Sequence, residues 1–323
     1  MVLIAFGMTA QGTMMKKRAY DVLVAGEINP DLILTHPDLE PKFGQQEVLV
    51  DSFELTIGSS SAIFACGLAR LGGRVLFVGV VGEDLFGNFM IEALHQRGID
   101  TSSVIVEPNE RTGISIILAR GADRAILTYP GAIAKLTAEK VSDDLLQRSR
   151  HLHVASYFLQ EALQPDLKKL FQRAHAYGLT TSLDINWDPG GQWEGVWEAL
   201  SETDLFFLNS AEALALTGES TVKAALTSLA DAVPVVAVKL GSEGGMVRQG
   251  EELLVVPAIS VPVVDTVGAG DSFDAGFVYG YLQDWPLERC LKLGVACGSL
   301  SLRAAGGTNR QPDLEEAMYY VEM

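Results

Sequence analysis

The segment Asp-Thr-Val-Gly-Ala-Gly-Asp-Ser-Phe at 265–273 sets three small residues, Gly268, Ala269 and Gly270, before a carboxylate, Asp271, at the start of a helix-forming stretch. Glycines let the backbone turn so that successive N–H groups converge, and the first turn of a helix carries unpaired donors and a partial positive charge. Such a junction holds an anion. The acid beside it has two uses. As an N-cap, Asp271 accepts hydrogen bonds from the free N–H groups of its own helix, the commonest use of Asp at such a place. As a general base, it takes a proton from a substrate hydroxyl while the nest receives a transferring phosphoryl group. Phosphoryl transfer depends mostly on positioning and charge stabilisation, so an anion hole beside a base suits it.

Those residues need elements that bring strand ends and helix starts together. Short apolar runs at 20–27, 74–82, 151–156, 179–186, 204–209 and 233–241 predict buried strands. Helix-period segments follow at 59–72, 85–97, 139–148, 165–177, 193–200, 210–217 and 221–231. The alternation predicts an α/β fold, a doubly wound and mostly parallel sheet with helices on both faces. Residues 31–58 and 101–131 break the rhythm, with strands and turns but no helix. They read as antiparallel excursions that pair into one small β-sheet, a lid over a cleft, or else as plain surface hairpins. Beyond residue 271 the chain is helical at 271–284 and 286–306, with a tail helix from Pro312.

A net charge of −17 over 323 residues argues against nucleic-acid or membrane partners. A phosphate-bearing ligand must then be held by backbone donors, a few cations or a metal. Cys66, Cys290 and Cys297 show no CxxC spacing and read as core residues in a reducing compartment, which implies a cytoplasmic location. Residues 1–18 read as a flexible extension. Their basic cluster follows the short apolar run instead of preceding it, the wrong order for a signal peptide, and Met14 or Met15 is a candidate start.

The stretch Asp-Thr-Val-Gly-Ala-Gly-Asp-Ser-Phe-Asp-Ala-Gly-Phe closely resembles the C-terminal signature of the PfkB, or ribokinase-like, family of carbohydrate kinases. Residues 26–34 resemble the family's opening strand and 58–87 its N-terminal signature. Asn209 to Glu212 matches its Asn-x-x-Glu motif, and 238–245 its nucleotide strand-turn. The resemblance runs in order over about 20–312 and implies transfer of the γ-phosphoryl group of ATP to a hydroxyl. It makes Asp271 the base and the amides of Gly268, Ala269 and Gly270 the anion hole. Asn209 and Glu212 would organise Mg²⁺ through water, although the same pair reads as a strand-end cap and a helix acid. Lys239, Gly241, Gly244 and Ser299 would lie along the nucleotide; alone, Lys239 reads as a snorkelling turn lysine. Asn29 and Asp31, which by themselves read as a turn, would bind sugar hydroxyls, with Gly58 and Ser59 bringing backbone close and Asp271 touching the acceptor. Asp265 and the carbonyl of Val267 would contribute to a monovalent-cation (K⁺) site.

The departures concern the acceptor. Ile63 stands where the family usually has Asn, and Ser59 where it has a second Gly. Residues 184–191 resemble the Asp-x-Asn segment of fructokinase-like and ketodeoxygluconate-kinase-like members, but Asp188 stands where those often place Arg. Arg111, Arg124 and Tyr129 in the second excursion remain able to reach an acceptor. The resulting expectation is an ATP-dependent kinase of a small sugar or sugar derivative, with a nucleoside kinase and a non-catalytic sugar or nucleotide sensor as rivals. The lid edges read either as the pairing surface of a homodimer or as exposed edges protected by charge.

Overall fold

Alternate residues of the first strand enter two different cores. Along β1 (Tyr20–Ala25), Leu23 and Ala25 join one apolar cluster, Val22 and Val24 another. A strand apolar on both sides must be covered on both sides. The computed structural model, which describes residues 18–120 and 123–323, shows how.

The further strands in chain order are β2 (Pro30–Thr35), β3 (Ser52–Ile57), β4 (Val75–Val78), β5 (Val80–Gly82), β6 (Ile105–Glu107) and β7 (Ile114–Arg120). Then come β8 (Asp123–Tyr129), β9 (Ser149–Val154), β10 (Thr180–Asp184), β11 (Leu205–Asn209), β12 (Val235–Lys239), β13 (Gly245–Gln249) and β14 (Glu252–Val256). The main sheet has the order β14-β13-β12-β11-β10-β9-β1-β4, parallel from β12 to β4. Helices Leu167–Ala176, Val196–Leu200 and Val222–Ala230 cover one face. Helices Ser60–Arg70, Leu85–Gln96, Ala269–Leu282 and Leu287–Ser301 cover the other. The predicted α/β architecture is therefore present.

The antiparallel pair β13 and β14 was not expected as strands. Both lie towards one edge of the sheet and are half-buried; β13 ends in polar residues, and the apolar run within β14 is short, 253–256. The two lid excursions do join into one separate four-stranded sheet, β3-β2-β7-β8. Each hairpin is antiparallel, but the strands that join them, β2 and β7, run parallel. The start of the second excursion goes elsewhere, since β6 pairs with β5.

Of the extension predicted at 1–18, residues 1–17 lie outside the described residues. Arg18 is in place, its guanidinium donating to the carbonyls of Ser149, Tyr177 and Gly178. Among the described residues no helix is long and apolar enough to cross a membrane.

Candidate active site

The helix that carries the acid begins one residue after a forced glycine. Gly268 is the N-cap of helix Ala269–Leu282 at φ 72°, where L side chains are strained, and a Cβ there would stand 2.6 Å from the Cα of Gly307. Asp271 is the third residue of the helix, and no side chain caps that end. The cap reading of Asp271 is thus replaced by a free, half-buried carboxyl whose neighbour is the hydroxyl of Ser60. Burial first, and then the charge of Asp184, push it up to about 7 against the opposing pull of Lys239.

On one side of this junction lies a cavity of about 560 Å³. Lys239, Gly241, Gly244, Ala269, Gly270 and Ser299 all line it. Gly244, at φ 101°, lies so close to the carbonyl of Val256 that a Cβ would clash at 2.0 Å, so the β12–β13 turn can only be built with glycine there. Asn209 and Glu212 form a reciprocal capping box at the end of β11: the Asn209 N–H donates to Glu212 at 2.7 Å, and the Glu212 N–H to Asn209 at 3.0 Å. Burial and Asp184 raise the Glu212 carboxyl to about 7. A larger cavity, about 900 Å³, lies at the opposite ends of the strands, beside Arg18, Arg74 and Arg150. Two of these arginines close helix C-termini, Arg18 at Tyr177 and Gly178 and Arg150 at the carbonyl of Leu282. Open α/β sheets bind ligands at the other end.

On the other side is the lid. Across it Thr56, Asp31, Ser115 and Thr128 stand in register, one polar row on a single face. Asp31 presses against Gly58, where a Cβ would meet its carboxylate at 2.0 Å. Burial raises Asp31 to about 7, with Arg124 pulling down and Asp265 and Glu27 pushing up. Asn29 is buried, with a single weak side-chain bond to the carbonyl of Pro30. Ser59 holds φ 70°, ψ 123°, a conformation suited to glycine, and its hydroxyl donates to the carbonyl of Glu27 at 2.6 Å while accepting from the N–H of Ala62 at 3.0 Å. Arg124 reaches from β8 to the hydroxyl of Thr266 at 3.0 Å and to Asp265 at 3.8 Å. Asp265 also accepts from the N–H groups of Val267 and Gly306.

Asp271 thus stands between the cavity that Gly270 lines on one hand and the polar row of the lid on the other. Residues 19–314 match the pfkB family of carbohydrate kinases. The chain belongs to that family. An Archaeoglobus fulgidus protein named an uncharacterized sugar kinase is 30% identical, over 71% of this chain and 91% of its own. The 2-dehydro-3-deoxygluconokinase of Bacillus subtilis is 31% identical, over 84% and 88%. Among solved structures, an E. coli protein assigned as a ribokinase II, in complex with ATP and Mg²⁺, has a TM-score of 0.84 at 25% identity, covering 94% of this chain and 99% of that one. This chain is accordingly an ATP-dependent carbohydrate kinase of ribokinase-like fold.

Several departures of this kinase from the sequence reading have physical causes. Ile63 is buried and packs under Gly268 and Gly307, so it supports the turn before Asp271 from below. Asp188 accepts from the N–H groups of Gly190, Gln192 and Trp193, which makes it a loop-building residue. Lys239 does not snorkel: its amine donates to Asp184 at 2.8 Å and Asp274 at 3.2 Å. Sequence reasoning missed Asp274, Ser60 and Glu27, and met Asp184 and Asn186 only as the Asp-x-Asn segment, without a role. Glu27, fully buried, accepts from the hydroxyls of Ser61 and Ser156 and from the N–H of Ser61. Asn186 links hydroxyls of Ser60 and Ser156 to Asp184. The available signal was position, because Glu27, Asp184 and Asn186 all follow or end strands at the sheet's ligand-binding edge.

Proposed function

We propose that this kinase transfers the γ-phosphoryl group of ATP to a hydroxyl of a small sugar or sugar derivative, with Asp271 as general base. The observation that carries the reading is the placement of Asp271: Gly270 before it lines the nucleotide-sized cavity, and its own carboxyl faces Ser60 on the lid side. A carboxyl near pH 7 is matched to taking a proton from an alcohol at neutral pH. The amides of Gly268, Ala269 and Gly270 receive the charge of the transferring group.

Lys239, Gly241, Gly244 and Ser299 flank the nucleotide. Asn29, Asp31, Gly58 and Ser59 form the acceptor side, and closure of the lid keeps water from the phosphoryl group. Glu212 commits one oxygen to its cap and keeps a second, hard donor, which suits water-mediated contact with Mg²⁺ carried by the nucleotide. That ion would screen phosphate charge. The residues present fit K⁺ less well, since Asp265 already faces the Arg124 guanidinium.

The test is Asp271→Asn in an ATP-consumption screen across pentoses, hexoses, keto-sugar acids and nucleosides with Mg²⁺. We expect a sugar-dependent wild-type rate and a kcat about 10³-fold lower in the variant. Turnover near wild type would overturn the assigned role. ATP consumption that responds to no sugar would overturn the acceptor class, a nucleoside response marking a nucleoside kinase and no response at all a sensor.

A further inference from the structure

Three carboxylates converge beside the phosphoryl site. Oxygens of Asp184, Asp271 and Asp274 lie within 4.8 Å of one another. Asp271 and Asp274 are one turn apart on their helix and so share a face, and Asp184 comes up from the end of β10. Three acids this close in a desolvated site cannot all be ionised unless a cation joins them. The cation among them is the amine of Lys239, at the end of β12.

One positive charge balances one carboxylate. Asp184, 1% exposed, has the shorter bond to Lys239 and a further donor in the amide of Asn186, so it is the ionised partner. Asp274 is equally buried, and its Oδ1 faces no donor among the described residues. It lies in hydrogen-bonding contact with Asp184, and two carboxyls can share such a contact only if one keeps its proton. We propose that Asp184, Lys239 and Asp274 form a buried positioning cluster that sets the pH range over which Asp271 works, with Asp184 ionised and Asp274 a neutral carboxyl donating to it. This rests on the reading of Asp271 as the base.

The charged and polar groups facing Asp271 are Glu27 after β1, Ser60 at the start of helix Ser60–Arg70, Asp184, Lys239, and Asp274 on its own helix. Asp184 raises the Asp271 carboxyl and Lys239 lowers it. Removing the charge of Asp184 therefore leaves Lys239 acting alone, and the base becomes weaker. Removing the charge of Lys239 does the reverse.

The experiment is the pH profile of kcat at saturating ATP and acceptor. For Asp184→Asn we expect the acidic limb to move down by about one pH unit, so that the rate at pH 6 relative to its plateau rises about fivefold. For Lys239→Gln the limb moves up. Limbs that stay in place in both variants overturn the proposal, while loss of activity in Asp271→Asn shows independently that the base reading stands. Should the variants not fold, wild-type enzyme labelled with ¹³C at the Asp carboxyls gives the answer. Across pH 5–8 one buried Asp should stay protonated, one should stay ionised, and Asp271, identified by its loss in Asp271→Asn, should titrate. An Asp274 that is ionised throughout overturns the proposal.

Discussion

At the scale of single residues, strain and burial mark the proposed acceptor side. Ser59 sits in a backbone conformation that costs a non-glycine residue about 1–3 kcal/mol, and its hydroxyl bonds on both sides offset part of that. Ser59→Ala keeps the strain and loses the bonds, whereas Ser59→Gly loses the bonds and the strain together. Urea unfolding should therefore find Ser59→Gly more stable than Ser59→Ala by about 1–2 kcal/mol; equal stabilities would mean that the backbone carries no strain. Asp31 gives a second residue-scale prediction. Its folded pKa, about 7, lies above the ordinary carboxylate value, so the folded state binds a proton more tightly than the unfolded chain. Stability is then lost as pH rises from about 4 through 7. Asp31→Asn removes that loss. Its melting temperature should exceed wild type by a margin that grows from pH 5 to pH 8, while acceptor turnover falls; a margin independent of pH would refute the burial argument.

At the scale of elements, helices 210–217 and 221–231 were legible to within a residue because their ends carry chemistry: Asn209 with Glu212 caps one start, Thr221 the other. The lid strands were legible because two helix-free regions had to pair with something. The Lys239 cluster was not legible, since its members come from β10, β12 and a late helix, and nothing local in the sequence announces a contact across such separations. A reach of Arg124 towards an acceptor was open from the sequence, but its contacts with Thr266 and Asp265 were not, because on β8 alone it reads as a surface cation. That contact ties the lid to the loop just before Gly268. Without it, closure should weaken. We predict that Arg124→Ala raises the KM for acceptor about tenfold, with a smaller change in kcat, and increases ATP hydrolysis in the absence of acceptor. Unchanged kinetics on both measures would show the Arg124 contact to be incidental.

At the scale of the whole molecule, the lid has two different faces, a mixed one and an apolar one. The row that holds Asp31 looks to the site. On the other face Phe53, Leu34, Leu118 and Ala125 stand in register across the four strands, and beside them Leu55, Leu32, Ile116 and Leu127. Phe53 is 73% and Leu127 57% exposed, so this apolar surface is left to solvent in a single chain. Patches of this kind mark association. A second copy is the occupant that fits best, because the same apolar rows on each partner can meet about a two-fold axis without opposing charge to charge. A net charge of −17 per chain works against that contact at long range and is screened by salt. Light scattering after size exclusion should thus give twice 34.7 kDa at tens of micromolar, more firmly at 0.5 M than at 0.05 M salt. Ile116→Lys, which puts an ammonium at the centre of the face, should yield a folded monomer. A wild type that remains monomeric at both salt levels would leave the lid as a cover for one site alone, and its outer rows would then need a different partner.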